Sequence, residues 1–251
     1  MASHTKYFIG NWKMFGIPSS FKIIDKINNY FKKDRKNNKK YKIIIAPPLT
    51  LLQDFIFKSK NKKVLISAQN CYEEDKFGAH TGFVSPFMIK KIGVKFIIIG
   101  HSENRQKGET DKVLKKKILL ALKNNFTVIF CIGENKSEKR KKRTVKVLKK
   151  QISNVLHKNY NLNKIIIAYE PIWSIGTGKI PSSNELIKTI ANLKNFLTNK
   201  YKSSPKILYG GSVDKDSIRE FKSIKELDGF LIGGASKSSK NFIDIIRNFY
   251  K

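Results

Sequence analysis

The chain has 251 residues, 40% of them hydrophobic, and a mean hydropathy of −0.38. This suits a soluble globular protein with a sizeable core, and no apolar run approaches the roughly 18 residues that a membrane span needs. With 51 Lys and Arg against 19 Asp and Glu, the formal charge is +32 at pH 7, so binding of polyanions has to be weighed from the outset.

The opening Met1-Ala2-Ser3-His4-Thr5-Lys6 leads straight into Tyr7-Phe8-Ile9-Gly10. It lacks a basic stretch followed by an apolar one, so no secretory leader is expected. The cysteines, Cys71 and Cys131, are far apart and form no C-x-x-C. Neither a disulfide framework nor a zinc site follows, each thiol reads as a small buried apolar residue, and a cytoplasmic setting fits.

In chain order, short β-branched runs occur at Tyr7–Trp12, Lys42–Ala46, Val64–Gln69, Phe96–Gly100, Thr127–Ile132, Ile165–Tyr169, Lys206–Gly210 and Phe230–Gly233. Continuous apolar runs of this length suit strands buried on both faces, as in a parallel sheet. Helical spacing fills the intervals. Phe21, Ile24, Ile27 and Phe31 share one face, as do Leu186, Ile190, Leu193 and Leu197, and Phe242–Ile246 closes the chain in the same style. The densest basic run, Lys136 to Lys150, reads as the solvent side of one helix carrying Val145, Val147 and Leu148. Eight strands alternating with helices predict an α/β fold, a (β/α)8 barrel in one domain over residues 1–251. An open doubly wound sheet is the competitor, but Gly10-Asn11-Trp12-Lys13 follows the first run where that fold usually carries G-x-G-x-x-G.

In such a barrel the loops after the strands converge on one mouth. They carry Asn11 and Lys13 after the first run, His101 and Glu103 after the fourth, Glu170 after the sixth, and the pairs Gly210-Gly211 and Gly233-Gly234 after the last two. Singly, each has an ordinary explanation: a solvated lysine, a helix-start histidine, a loop carboxylate, a turn. Together they form a set with one purpose. A carboxylate in a dry pocket is a base for a proton beside a carbonyl, and a neutral imidazole and an ammonium stabilise the oxyanion that results. Glycine pairs offer backbone N–H groups to a phosphate. No nucleotide fingerprint, metal-ligand cluster or G-x-S-x-G elbow is present, so neither cofactor nor metal is expected. The basic residues are spread along the chain, mostly as Lys, without a nucleic-acid-reading motif. They read as a solvated coat with no specific nucleic-acid partner, and one able to steer an anionic substrate.

These motifs resemble the triosephosphate isomerase family over residues 7 to 246. The resemblance is carried by Gly10-Asn11-Trp12-Lys13-Met14, Ala68-Gln69-Asn70, Thr81-Gly82, Gly100-His101-Ser102-Glu103 and Cys131-Ile132-Gly133-Glu134. It continues through Ala168-Tyr169-Glu170-Pro171-Ile172-Trp173-Ser174-Ile175-Gly176-Thr177-Gly178-Lys179, Tyr209-Gly210-Gly211-Ser212-Val213 and Gly233-Gly234-Ala235-Ser236. It implies interconversion of dihydroxyacetone phosphate and glyceraldehyde 3-phosphate in glycolysis. Glu170 would shuttle the proton, His101 would serve the oxygens, and Lys13 and Asn11 would stabilise negative charge, with Glu103 beside them. Gly176, Ser212, Gly233 and Gly234 would hold the phosphate under a Trp173–Pro181 lid. The resemblance also implies a homodimer whose third loop reaches the partner's site.

Several positions depart from the family pattern. Asn104 and Phe83 stand where the family usually has Arg and Glu, and Phe15 where Asn is common, all three in loops associated with the dimer contact, which predicts an apolar dimer contact in place of an opposite-charge one. Pro181 replaces a small residue and fixes φ, predicting a stiffer lid hinge. Lys237 replaces a common leucine and is expected to point to water. The rival reading is a barrel that binds polyanions through its basic surface, with weak or no isomerase activity.

Overall fold

A computed structural model describes residues 5–251; the opening residues Met1–His4, on which the leader argument rests, lie outside the described part. Strands β1 (Lys6–Asn11), β2 (Tyr41–Ala46), β3 (Leu65–Ala68), β4 (Phe96–Ile99), β5 (Thr127–Ile132), β6 (Ile165–Tyr169), β7 (Lys206–Tyr209) and β8 (Gly229–Ile232) pair in sequence order into a closed barrel. All pairs are parallel, and the ring closes where Tyr7–Gly10 of β1 lies beside Gly229–Ile232 of β8. Around it run α1 (Phe21–Lys33), α2 (Leu49–Lys58), α3 (Pro86–Lys91), α4 (Ser102–Gln106), α5 (Asp111–Lys123), α6 (Lys136–Arg140), α7 (Thr144–Val155), α8 (Ser183–Tyr201) and α9 (Ser239–Tyr250). A short 3-10 segment, Ser217–Ser223, stands between β7 and β8.

The continuous apolar character of the strands follows from two cores. Alternate residues point inward, where Ile9, Ile44, Ile98, Ile129, Ile166, Leu208 and Leu231 fill the barrel. Their neighbours, among them Phe8, Ile45, Ile97, Phe130, Ile167 and Phe230, face the helix ring. Each such side chain contributes about 1.5–3 kcal/mol on full burial, so neither face can turn polar without loss. The amphipathic helices close the outer core with Phe21, Ile24 and Ile27 of α1, Leu186, Ile190, Leu193 and Leu197 of α8, and Phe242, Ile245 and Ile246 of α9.

The strand alternation also builds the rim. Two residues beyond the last interior side chain, the inward register passes from Ile9 to Asn11, from Ala168 to Glu170, from Leu208 to Gly210 and from Leu231 to Gly233. The anticipated runs extended one residue too far at Trp12, Gln69, Gly100, Gly210 and Gly233, because ladder pairing ends where the chain turns into this rim.

The basic run is two helices, not one. Asn135 and Glu138 form a capping box that starts α6. The chain then breaks at Lys142, which is left-handed with φ 55°. The Lys142 N–H donates to the Lys139 carbonyl at 2.9 Å and the Arg143 N–H to that of Glu138 at 2.9 Å. This is the paired bond of a Schellman stop, made without the usual glycine.

Candidate active site

At the carboxyl ends of the strands lies a cavity of about 310 Å3, lined by Asn11, Lys13, His101 and Glu170 and, across from them, by Gly176, Ser212, Gly233 and Gly234. Among the anticipated site residues, Glu103 does not line it. It lies on α4, and its carboxylate meets the Lys13 ammonium at 2.7 Å. Partial burial works to raise the Glu103 carboxyl, but the Lys13 bond and charge outweigh it and hold it below the ordinary value.

Lys13 is held by its backbone. Its φ of 56° is left-handed, which costs a non-glycine residue about 1–2 kcal/mol. Its N–H donates to Asn11 Oδ1 at 3.1 Å, and Gln69 Nε2 donates both to its carbonyl at 2.9 Å and to that of Ala46 at 2.8 Å. Gln69, which sequence reasoning had placed in a motif without a role, thereby ties together the loops after β1 and β2.

His101 is the N-cap of α4. Its Nδ1 accepts the Glu103 backbone N–H at 3.3 Å, which leaves the proton of the neutral ring on Nε2, facing the cavity. Arg105 fixes this turn by donating to the Gly100 carbonyl at 2.9 Å and pairing with Asp111 at 3.0 Å.

Glu170 continues the ladder of β6 into the rim, its N–H donating to the Ile132 carbonyl at 2.7 Å. One carboxylate oxygen lies 3.4 Å from His101 Nε2, while the other is buried without a partner. Burial pushes its carboxyl upward against the opposing pull of His101. The space around it is set by glycines: a Cβ on Gly210 would stand 2.6 Å from Glu170 Cγ, and one on Gly133 would stand 1.8 Å from its carbonyl oxygen. The fully buried Cys131 thiol is pushed well up, by burial and then by the Glu170 carboxylate, and so stays protonated.

The segment after β6 arches over the cavity. The Trp173 indole N–H donates to Glu134 at 2.8 Å, Tyr169 donates to the same oxygen at 3.2 Å, and burial raises the Glu134 carboxyl against both bonds. Toward the tip, Gly178 N–H donates to Ser212 Oγ at 3.1 Å, and Ser174 Oγ accepts the Ser212 N–H at 3.2 Å and meets Tyr209 Oη at 3.0 Å. Among the described residues, the Gly176 and Gly233 N–H groups have no acceptor within the chain and remain available to an anion. Pro181, buried, passes directly to Ser182, the N-cap of α8, so that exit from the arch has no N–H to donate. The pairing of Ser174 with Tyr209 escaped sequence reasoning because a hydroxyl contact between the arch and the end of β7 leaves no local signature.

Two further expectations change. Lys237 does not simply reach for water; its Nζ sits 5.4 Å from the Phe15 ring centre, and Phe15 in turn packs edge-on against Trp12. Asn104 belongs to α4 rather than to an open loop. No group of three or more His, Cys, Asp or Glu side chains among the described residues could hold a metal ion.

A (β/α)8 barrel whose mouth sets a buried carboxylate, an imidazole and an ammonium against glycine-rich loops is a barrel enzyme equipped for acid–base chemistry on an anionic substrate. The sequence matches the triosephosphate isomerase family profile over residues 6–249. It is 38% identical over 245 residues to the triosephosphate isomerase of Caldanaerobacter subterraneus, covering 94% of this chain and 96% of that one. The enzyme of Clostridium tetani is also 38% identical, covering 94% of each. The crystal structure of triosephosphate isomerase from Bartonella henselae superposes with a TM-score of 0.88 at 29% identity, covering 98% of this chain and 99% of that one. The chain belongs to the triosephosphate isomerase family.

Proposed function

We propose that the chain interconverts dihydroxyacetone phosphate and D-glyceraldehyde 3-phosphate, an aldose–ketose isomerisation, with Glu170 as the base. The observation that carries this reading is the buried Glu170 carboxylate at the wall of the 310 Å3 cavity, one oxygen 3.4 Å from His101 Nε2 and the other without a partner. From glyceraldehyde 3-phosphate, Glu170 takes the proton on C2 and the electron pair moves into the C1–C2 bond. The aldehyde oxygen gains negative charge and then the proton of His101 Nε2. The 2-hydroxyl gives up its proton to the imidazole, the C2 carbonyl forms, and Glu170 returns a proton to C1. Atoms and electrons balance without any redox partner.

Lys13 and Asn11 supply fixed positive charge and a neutral donor to the oxyanion, and Glu103 positions Lys13. The N–H groups of Gly176, Ser212, Gly233 and Gly234 hold the phosphate, which for Ser212 requires release of its bond to Ser174. The arch from Trp173 to Pro181 excludes water while the enediolate exists. A coupled assay on the purified chain tests the reading. Steady conversion of glyceraldehyde 3-phosphate is expected, and an inactive, folded chain would overturn it.

The reading includes a homodimer and a cytoplasmic setting, both resting on the family. The dimer draws support from apolar side chains left in water beyond the first three strands: Met14 is 97% exposed, Phe83 60%, and Ile17 and Leu49, at the start of α2, are also exposed. Phe83 rests on the Tyr72 ring at 4.4 Å, presenting its other face outward. Phe83→Glu is expected to shift sedimentation toward monomer, since a desolvated charge at an apolar contact costs several kcal/mol. A dimer as tight as wild type would remove Phe83 as an anchor. For the hinge, Pro181→Ala is expected to change turnover together with the exchange rate of the arch by NMR relaxation. Identical values would dispose of a stiffening role.

A further inference from the structure

The arch has two faces. Ile175, Gly176 and Gly178 line the catalytic cavity, while Trp173, Thr177 and Lys179 line a separate pocket on the outer side, closed below by Lys136, Lys139 and Arg140 of α6. This second pocket measures about 570 Å3, larger than the catalytic cavity.

Four cations face it and no carboxylate lines it. The nearest acidic groups are engaged elsewhere. Glu138 accepts the Asn135 N–H at 2.8 Å in the α6 capping box, and Glu185 accepts the Ser182 N–H at 3.2 Å in the α8 capping box. Glu185 also approaches Lys139 at 3.6 Å, but among the described residues Lys136, Arg140 and Lys179 have no ion pair. The Lys139 ammonium lies 3.5 Å from the centre of the Trp173 ring, so the indole forms one wall and orients one of the charges. Here cations of two elements, α6 and the arch, converge on one concavity. Four cations carry more charge than a single phosphate would neutralise, and a chain of several phosphates offers each of them an anionic oxygen.

We propose that this pocket binds an oligophosphate chain, either free or as the triphosphate of a nucleotide. The site is distinct from the catalytic cavity and does not depend on the reaction assigned there.

The test is titration of Trp173 fluorescence with inorganic tripolyphosphate at constant ionic strength, in the presence of saturating glycerol 3-phosphate to fill the catalytic cavity. A saturable change with one site per chain is expected. Lys136→Ala/Arg140→Ala should weaken it at least tenfold, with folding checked by circular dichroism. Lys32→Ala/Lys33→Ala removes the same charge from α1, which follows β1 and so lies across the ring from α6, and should change it less than twofold. Equal weakening by both pairs would reduce the effect to the general surface charge and overturn the proposal. So would loss of the signal with glycerol 3-phosphate present, or no saturable change at all. Repeating the titration with ATP identifies the source: tighter binding assigns a nucleotide whose base adds contacts, and equal affinity assigns the bare chain.

Discussion

Glu170→Gln is expected to lower kcat by roughly 10²–10⁴-fold, the range that a positioned general base contributes, with a smaller change in KM. Glutamine keeps the shape of the side chain and its fit over Gly210 but cannot take a proton, so the loss falls on the chemical step. The same substitution should raise thermal stability at pH 7. Burial raises the folded carboxyl above its unfolded value, so the folded state binds more protons between those two values and stability falls as pH rises through that window. At neutral pH the ionised group is a cost, which glutamine removes. The gain in Tm should therefore shrink as pH is lowered toward the ordinary carboxylate range, and in wild type kcat/KM should fall on the acid side at a pH above that range. A destabilised Gln variant would mean that His101 more than offsets the burial of Glu170.

Lys13→Met is expected to cost about 10²–10³-fold in kcat, as loss of a preorganised oxyanion donor does. The ammonium stands at the cavity wall in a left-handed backbone that Asn11, Gln69 and the Ala46 carbonyl hold in place, so the methionine chain should keep the position and lose only the charge. Removing that charge also frees Glu103, whose carboxyl should move upward. Glu103 with Lys13 contributes stability that is present above the unfolded carboxylate value and lost as pH falls through the lowered folded one. Because Glu103 is half exposed, that contribution is small. Steady-state kinetics with a melting curve separate the two effects. A fold change below ten in kcat with unchanged stability would exclude Lys13 from the oxyanion's surroundings.

Much of the barrel was legible because both faces of every strand must be apolar, which left eight unmistakable β-branched runs. Their ends were less legible: Gly100, Gly210 and Gly233 extend the apolar runs in sequence, while in space they already belong to the rim. The break at Lys142 was invisible because a lysine, not a glycine, takes the left-handed stop, and basic residues continue on both sides. At the mouth, Asn11, Lys13, His101 and Glu170 could be named from their places after strands. Glu103 was named as lining the mouth because a sequence records proximity along the chain; its carboxylate turns to Lys13 instead. What holds the site in shape was harder to find. The Gln69 bridge, the Ser174–Tyr209 pair and the demand that position 133 lack a Cβ all depend on long-range approach. The alternating register that turns Ile9 into Asn11 and Ala168 into Glu170 was present in the sequence throughout, and it is the signal that links core to chemistry.

The central claim is that Glu170 moves a proton between adjacent carbons through an enediolate, and that the proton it holds exchanges with solvent in a fraction of turnovers. The most direct measurement is conversion of glyceraldehyde 3-phosphate in deuterium oxide, with the dihydroxyacetone phosphate formed read by NMR. Deuterium at C1 of the product is predicted for wild type, at a rate reduced in step with kcat for Glu170→Gln. Product formed by Glu170→Gln at the wild-type rate, labelled at C1 or not, would contradict the account.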